Sequence, residues 1–114
     1  MTATGTAGGT FHFMPREQLT NFKYVHPVSD VWSIAATFYK MLTGKLPLDF
    51  APNRDPLEVI LRDEPVPVRQ RDAGIPPPLA EVIDRALLCD TAKRYQDAVE
   101  MKAALQRALR AKRA

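Results

Sequence analysis

Disulfide formation within this chain is excluded, because Cys89 is the only cysteine among its 114 residues. A single cysteine is typical of proteins from reducing, intracellular compartments. Cys89 ends the apolar run of residues 86–89, which predicts a small core residue. The first ten residues have neither a basic start nor an apolar run, so we expect no signal peptide and a cytoplasmic protein.

Signals for metal, membrane and nucleic-acid binding are equally scarce. The two histidines, His12 and His26, have no second ligand at metal-binding spacing. The longest apolar segment is too short, and too charged at its end, to span a bilayer. The net charge of +3 comes from a basic C-terminus without interleaved aromatics. We therefore expect no metal site, no membrane segment and no nucleic-acid partner, with nucleic-acid or acidic-membrane binding as the weaker alternative.

Alternating strand patterns are lacking too, and the periodicity predicts a mainly α fold without a convincing sheet. Eight of the ten prolines fall between residues 45 and 78, which limits that region to long connections and one short helix. We predict about five helices. Their approximate positions are 15–19, 29–42, a short helix from Pro56, 78–89 and one that begins at Asp97.

The most informative segment is the predicted central helix between Val28 and Pro47. Ser29 or Asp30 can cap its first N–H groups, and Gly44 can adopt the left-handed conformation after its last turn. Apolar side chains occur nearly all round this helix, which is typical of a buried helix at the centre of a domain.

Three motifs follow one another along the chain. They are Gly-Thr-Phe-His-Phe-Met-Pro-Arg-Glu at 9–17, Ser-Asp-Val-Trp-Ser at 29–33 with Leu-Thr-Gly at 42–44, and Cys-Asp-Thr-Ala-Lys-Arg-Tyr at 89–95. In this order they resemble the end of the activation segment, the central helix and the Asp-Pro-x-x-Arg-Tyr/Phe turn of bacterial-type serine/threonine protein kinases. The resemblance implies a partial kinase-like C-lobe over 11–110, after a flexible remnant of the activation segment at 1–10 and before a basic tail at 111–114.

The resemblance implies roles for four residues of this scaffold. Glu17 and Arg94 would form a buried ion pair that ties the activation segment to the last helices. Asp30 would accept hydrogen bonds from the catalytic-loop backbone, and Trp32 would pack in the core beneath the activation segment. The residues by themselves leave plainer roles open, with Asp30 as a helix cap and Glu17 and Arg94 as solvated charges.

The resemblance also implies roles for threonines near the start of the chain. Thr10 would be the substrate-positioning hydroxyl that touches the catalytic Asp, with an exposed loop hydroxyl as the alternative. Thr2, Thr4 and Thr6 are candidate activation-loop phosphosites, although threonines are also common in flexible segments.

Three positions depart from the family's pattern. The family's Ala-Pro-Glu is Pro15-Arg16-Glu17 here, with the proline one place early. The glycine that usually follows Trp-Ser-x is Ala35, and Asp-Pro is Asp-Thr at 90–91. The first departure alters the backbone of the loop that receives substrate.

The catalytic motifs of the family are missing from these 114 residues. Phosphoryl transfer uses a glycine-rich loop, a strand lysine, His-Arg-Asp and Asp-Phe-Gly. We therefore assign no catalytic, cofactor-binding or metal-binding residue, and expect ATP and Mg²⁺ only in a full-length parent kinase. Without the elements that cover the central helix, Val31, Ile34 and Phe38 would present an apolar patch. That patch would need a protein partner or the missing N-terminal portion of the kinase.

Two functions are compatible with this sequence. The favoured one is a C-terminal fragment of a serine/threonine kinase domain, inactive alone, whose parent phosphorylates Ser or Thr of protein substrates. In it, residues 55–75 would dock substrates or regulators. The alternative is a kinase-like protein-interaction module without catalysis. An unrelated all-α interaction domain fits the order of the motifs poorly.

Overall fold

The computed structural model describes residues 11–21 and 26–113 of the chain, and within them it is helical without strands. The predicted mainly α fold is thereby confirmed. The helices are α1 (Arg16–Thr20), α2 (Pro27–Thr43), α3 (Pro56–Arg62), α4 (Val68–Arg71), α5 (Pro77–Ala86) and α6 (Ala98–Arg113).

The central helix α2 begins two residues earlier than predicted. His26 is its N-cap residue, with an extended backbone, and Pro27 occupies the first turn. Proline suits this position because its fixed φ is helical and its missing N–H would have no partner there. The predicted cap at Ser29 or Asp30 is therefore wrong, since both residues lie inside the first turn.

The end of α2 follows the prediction. Gly44 has φ 74° and ψ 2°, the left-handed conformation, and its N–H donates to Lys40 O at 2.8 Å. A glycine adopts this conformation without the clash that a Cβ atom brings.

The core lies on one side of α2 only. Val31, Trp32 and Tyr39 are at most 3% exposed, whereas Ile34 and Phe38 are 36% and 37% exposed. The predicted burial nearly all round the helix is thus wrong for this chain, because the other described helices pack against a single face. The predicted apolar patch includes Ile34 and Phe38, but Val31 belongs to the core.

Helices α5 and α6 form the largest packing interface and both contact α2. Each has an apolar stripe at helical spacing, which places Ile83 of α5 and Met101 of α6 in the core. The N-terminus of α6 is capped by Asp97, whose carboxylate accepts the Glu100 N–H at 2.8 Å.

The proline-rich connection contains one helix that sequence periodicity does not indicate. This helix, α4, is a single turn, and Asp84 of α5 accepts the Val68 N–H at 3.0 Å. Because the capping residue is 16 positions further along the chain, the residues around Val68 do not indicate that a helix begins there.

Cys89 is half-buried rather than a core residue. It lies beyond the end of α5, with its Sγ 3.4 Å from Glu64 Oε2. Burial is the main cause that raises the pKa of the Cys89 thiol, which keeps it protonated and poorly nucleophilic.

Substitution at the left-handed residue after α2 gives a direct test of this helix end. We expect Gly44→Ala to lower the free energy of unfolding by about 1 kcal/mol, because alanine is strained at positive φ. An added Cβ would meet no atom within 4 Å, so only the backbone contributes. Urea unfolding followed by circular dichroism measures the loss.

The matched control is Gly44→Asn, since asparagine tolerates the left-handed conformation better than alanine. We expect it to be the more stable of the two variants. Equal stability of Gly44→Ala and the unchanged chain would contradict the assigned conformation.

Candidate functional site

The centre of the candidate site is an ion pair between the first turn of α1 and the turn before α6. Arg94 Nη1 lies 2.6 Å from Glu17 Oε2, and Nη2 lies 3.3 Å from Oε1. The Arg94 side chain is fully buried and that of Glu17 is 14% exposed. The guanidinium therefore holds both carboxylate oxygens in a fork-to-fork arrangement, which is stronger and more directional than a single contact.

Two further N–H groups of the guanidinium donate to backbone carbonyls. Arg94 Nε donates to Leu88 O and Nη1 to Val28 O, each at 2.9 Å. Ser29 Oγ donates to Glu17 Oε2 at 2.8 Å. Among the described residues, each buried side-chain nitrogen and oxygen has a hydrogen-bond partner. The pair thus joins four segments: α1, the start of α2, the residues after α5 and the turn before α6.

The electrostatics of this site favour an ionised Glu17. Burial by itself would raise the pKa of the Glu17 carboxyl. Hydrogen bonds from Arg94, from the backbone and from Ser29, together with the charge of Arg94, outweigh burial and hold that pKa below its usual value of 4.5.

The two predicted anchors of the central helix have different surroundings. Trp32 is buried in the core, and its Nε1 donates to Leu87 O at 3.2 Å. Asp30 is exposed, and its carboxylate accepts no hydrogen bond from any described residue. Its predicted role toward a catalytic-loop backbone stays a prediction.

Thr10, the predicted substrate-positioning residue, and the candidate phosphosites Thr2, Thr4 and Thr6 all lie outside the described residues.

Two residues near the ion pair make contacts that were not predicted from the sequence. Ser33 Oγ donates to Phe13 O at 2.8 Å, which ties the segment before α1 to α2. Arg16, noted only as a departure from the family's pattern, reaches the C-terminal end of α3. A helical serine can have many ordinary roles, so the spacing of Ser33 does not by itself predict its bond to Phe13 O.

An apolar groove opens where α2 meets α5 and α6. We call it the α2–α5–α6 groove. It is lined by Phe38, Leu42, Leu79, Ile83, Leu105 and Leu109. Three of these side chains are substantially exposed, with Phe38 at 37%, Leu42 at 44% and Leu109 at 52%. A continuous apolar surface of this kind is typical of a binding surface for another protein segment.

Within residues 11–21 and 26–113, no group of three or more His, Cys, Asp or Glu residues is arranged to hold a metal ion. No helix of this part is both long and apolar enough to cross a membrane. The described polar cluster around Arg94 holds segments together rather than presenting a nucleophile and base to a substrate.

Curated relatives of this chain are bacterial protein kinases. It is 34% identical over 110 residues to serine/threonine-protein kinase PknB of Mycolicibacterium smegmatis and, over the same length, to PknB of Mycobacterium leprae. Each alignment covers 94% of this chain and 17% of the relative. Serine/threonine-protein kinase PknD of Mycobacterium tuberculosis is 29% identical over 110 residues, which cover 96% of this chain and 16% of PknD. No protein-family model matches the chain.

Removal of the buried guanidinium should destabilise the fold strongly. We expect Arg94→Leu to lower the free energy of unfolding by about 3–5 kcal/mol, because it leaves the Glu17 carboxylate desolvated and unpaired. Urea unfolding at neutral pH measures this loss.

The matched control is Arg54→Leu, because Arg54 also forms a bidentate pair, with Asp63, but at the surface. We expect a much smaller loss for this variant. Similar losses for the two arginine variants would contradict the expectation that the buried Arg94 contributes more to the free energy of unfolding than the surface Arg54.

The pKa of Glu17 also predicts how stability changes with pH. A pKa lowered by folding stabilises the folded state above the unfolded value of 4.5, and this contribution disappears as the pH falls through the folded value. We therefore expect the stability difference between the unchanged chain and Glu17→Gln to shrink between about pH 7 and about pH 3. Urea unfolding across this range measures it, and a constant difference would contradict the assigned pKa direction.

Proposed function

We propose that this chain, which is homologous to bacterial serine/threonine-protein kinases, forms the C-terminal part of a kinase C-lobe. The complete catalytic domain would transfer the γ-phosphate of ATP to Ser or Thr of protein substrates in the cytoplasm. The observation that supports this most is the bidentate Glu17–Arg94 pair. It joins the segment that resembles the end of an activation segment to the last helices, as the resemblance implies.

The chain's own contribution in this proposal is structural. Phosphoryl transfer requires groups that hold ATP and Mg²⁺ and a base that accepts the substrate proton. These 114 residues contain none of the motifs that supply them. The chain instead holds the substrate-facing segment before α1 against α2 through Ser33, and α1 against the start of α6 through Arg94.

The proposed partner is the preceding portion of the kinase domain. The α2–α5–α6 groove leaves Phe38, Leu42 and Leu109 at 37%, 44% and 52% exposure. Coverage of these side chains by an apolar helix would remove them from water at roughly 25 cal/mol for each Å² buried. A helix of that preceding portion is the occupant that the resemblance favours.

The same groove supports the second candidate, a kinase-like interaction module without catalysis. In that case the groove would bind another protein, and addition of a kinase N-terminal portion would not produce activity. One reconstitution experiment therefore distinguishes the two candidate functions.

We expect the purified chain alone to transfer no phosphate from radiolabelled ATP to a general protein substrate. Co-expression with the part of M. smegmatis PknB that precedes the matched 110 residues should give a complex that does transfer it. Activity of the chain alone would contradict the proposal. A failure of the two portions to associate, or an inactive complex, would favour the interaction module.

The groove can be tested in the same complex with a matched pair of substitutions. Phe38→Asp places a charge in the groove and should abolish association, because a buried unpaired carboxylate is costly. Met41→Asp is the control, because Met41 is 73% exposed and does not line the groove. Equal effects of the two substitutions, measured by co-purification, would rule out the groove as the contact surface.

A further inference from the structure

Arg16 makes a set of hydrogen bonds that the family's proline at this position could not make. Its Nε donates to Ile60 O and its Nη2 to Asp63 O, both at 2.9 Å. Nη2 also lies 3.3 Å from Glu64 Oε2, at an exposed position. One side chain of α1 therefore contacts the last turn of α3 and the two residues after it. We call these contacts the Arg16 bridge.

We infer that the Arg16 bridge couples α1 to α3, so that loosening of one helix loosens the other. This inference goes beyond the proposed function, because it concerns communication between two surface elements and requires no phosphoryl transfer.

The C-terminal end of α3 needs such a partner. The last carbonyls of a helix have no intrahelical donor, and a cation near them also interacts favourably with the helix dipole. Arg16 supplies two N–H donors and the positive charge. Arg54 holds the Asp63 carboxylate separately, at 2.6 and 3.1 Å, so the two arginines bond different atoms of the same helix end.

Both helices are too short to be stable alone. Helix α1 has five residues and α3 has seven, whereas isolated helices below about 12 residues are marginal in water. Their order therefore depends on tertiary contacts. Arg16 and Glu17 are adjacent in α1, with Arg16 bonded to α3 and Glu17 bonded to Arg94. A movement of α1 away from Arg94 would also draw Arg16 away from α3.

The coupling can be tested by loosening α3 at its other end. Asp55 Oδ1 accepts the Leu57 N–H at 2.9 Å and caps the N-terminus of α3. Loss of such a cap weakens a helix by an amount that corresponds to about a fivefold change in its opening equilibrium. Amide hydrogen exchange by NMR reports this opening residue by residue.

In Asp55→Ala we expect exchange to accelerate by up to about fivefold at α3 amides and also at the end of α1. The reporter there, called the α1 amide below, is the N–H of the C-cap residue Asn21, which bonds Glu17 O. In the Arg16→Met background, the same Asp55→Ala change should still accelerate α3 but leave the α1 amide unchanged. Methionine keeps an apolar stem of similar length without the donors.

Two controls separate coupling from general destabilisation. Glu64→Gln removes only the exposed carboxylate and should preserve the response of α1, because both carbonyl bonds remain. Gly44→Ala destabilises a distant helix end and should not accelerate α1 selectively. If Arg16→Met does not fold, Arg16→Lys takes its place, because one ammonium cannot reproduce the fork.

The inference is overturned if Asp55→Ala accelerates the α1 amide equally with and without Arg16, or if it never accelerates that amide. Since the measurement uses the chain alone, these outcomes are independent of whether the reconstituted complex transfers phosphate.

Discussion

The fold depends above all on one buried guanidinium. Arg94 bonds the Glu17 carboxylate and two backbone carbonyls, and its side chain has no contact with water. A charge so deeply buried is tolerable only when its donors are matched by acceptors. Because these acceptors lie on three separate segments and Arg94 itself lies on a fourth, the requirement to satisfy one side chain fixes where α1, α2, α5 and α6 meet.

This constraint acts near the start of α2, whereas residues near the end of that helix line an open groove. The side toward Arg94 is closed by Trp32 and other core residues, and its polar groups are paired. Beside this core, α2, α5 and α6 border the α2–α5–α6 groove, where Phe38 and Leu42 remain exposed. A central helix covered on one face is expected for part of a larger domain, which agrees with relatives that extend well beyond the aligned region.

Sequence reasoning succeeded where the signal is local or carried by a motif. Gly44 marks the end of α2 because few other residues adopt its backbone conformation, and the kinase resemblance pairs Glu17 with Arg94 across 77 positions. It failed where the determinant is distant or ambiguous. The start of α2 at Pro27 was missed because Ser29 is also a good capping residue. Its hydroxyl in fact bonds Glu17.

The Asp30 carboxylate and the apolar groove both lack a partner among the described residues. The free-energy cost of leaving each of them exposed to water differs. The Asp30 carboxylate is exposed to water, which solvates a charge well, so leaving it there costs little free energy. Removal of the apolar side chains of the groove from water would lower the free energy, and this decrease grows with the area that is covered. In the proposed association, the groove rather than the carboxylate would therefore supply the driving force. A partner selected by the groove would then bring its own backbone donors within reach of Asp30 only if it also passes the N-terminal end of α2.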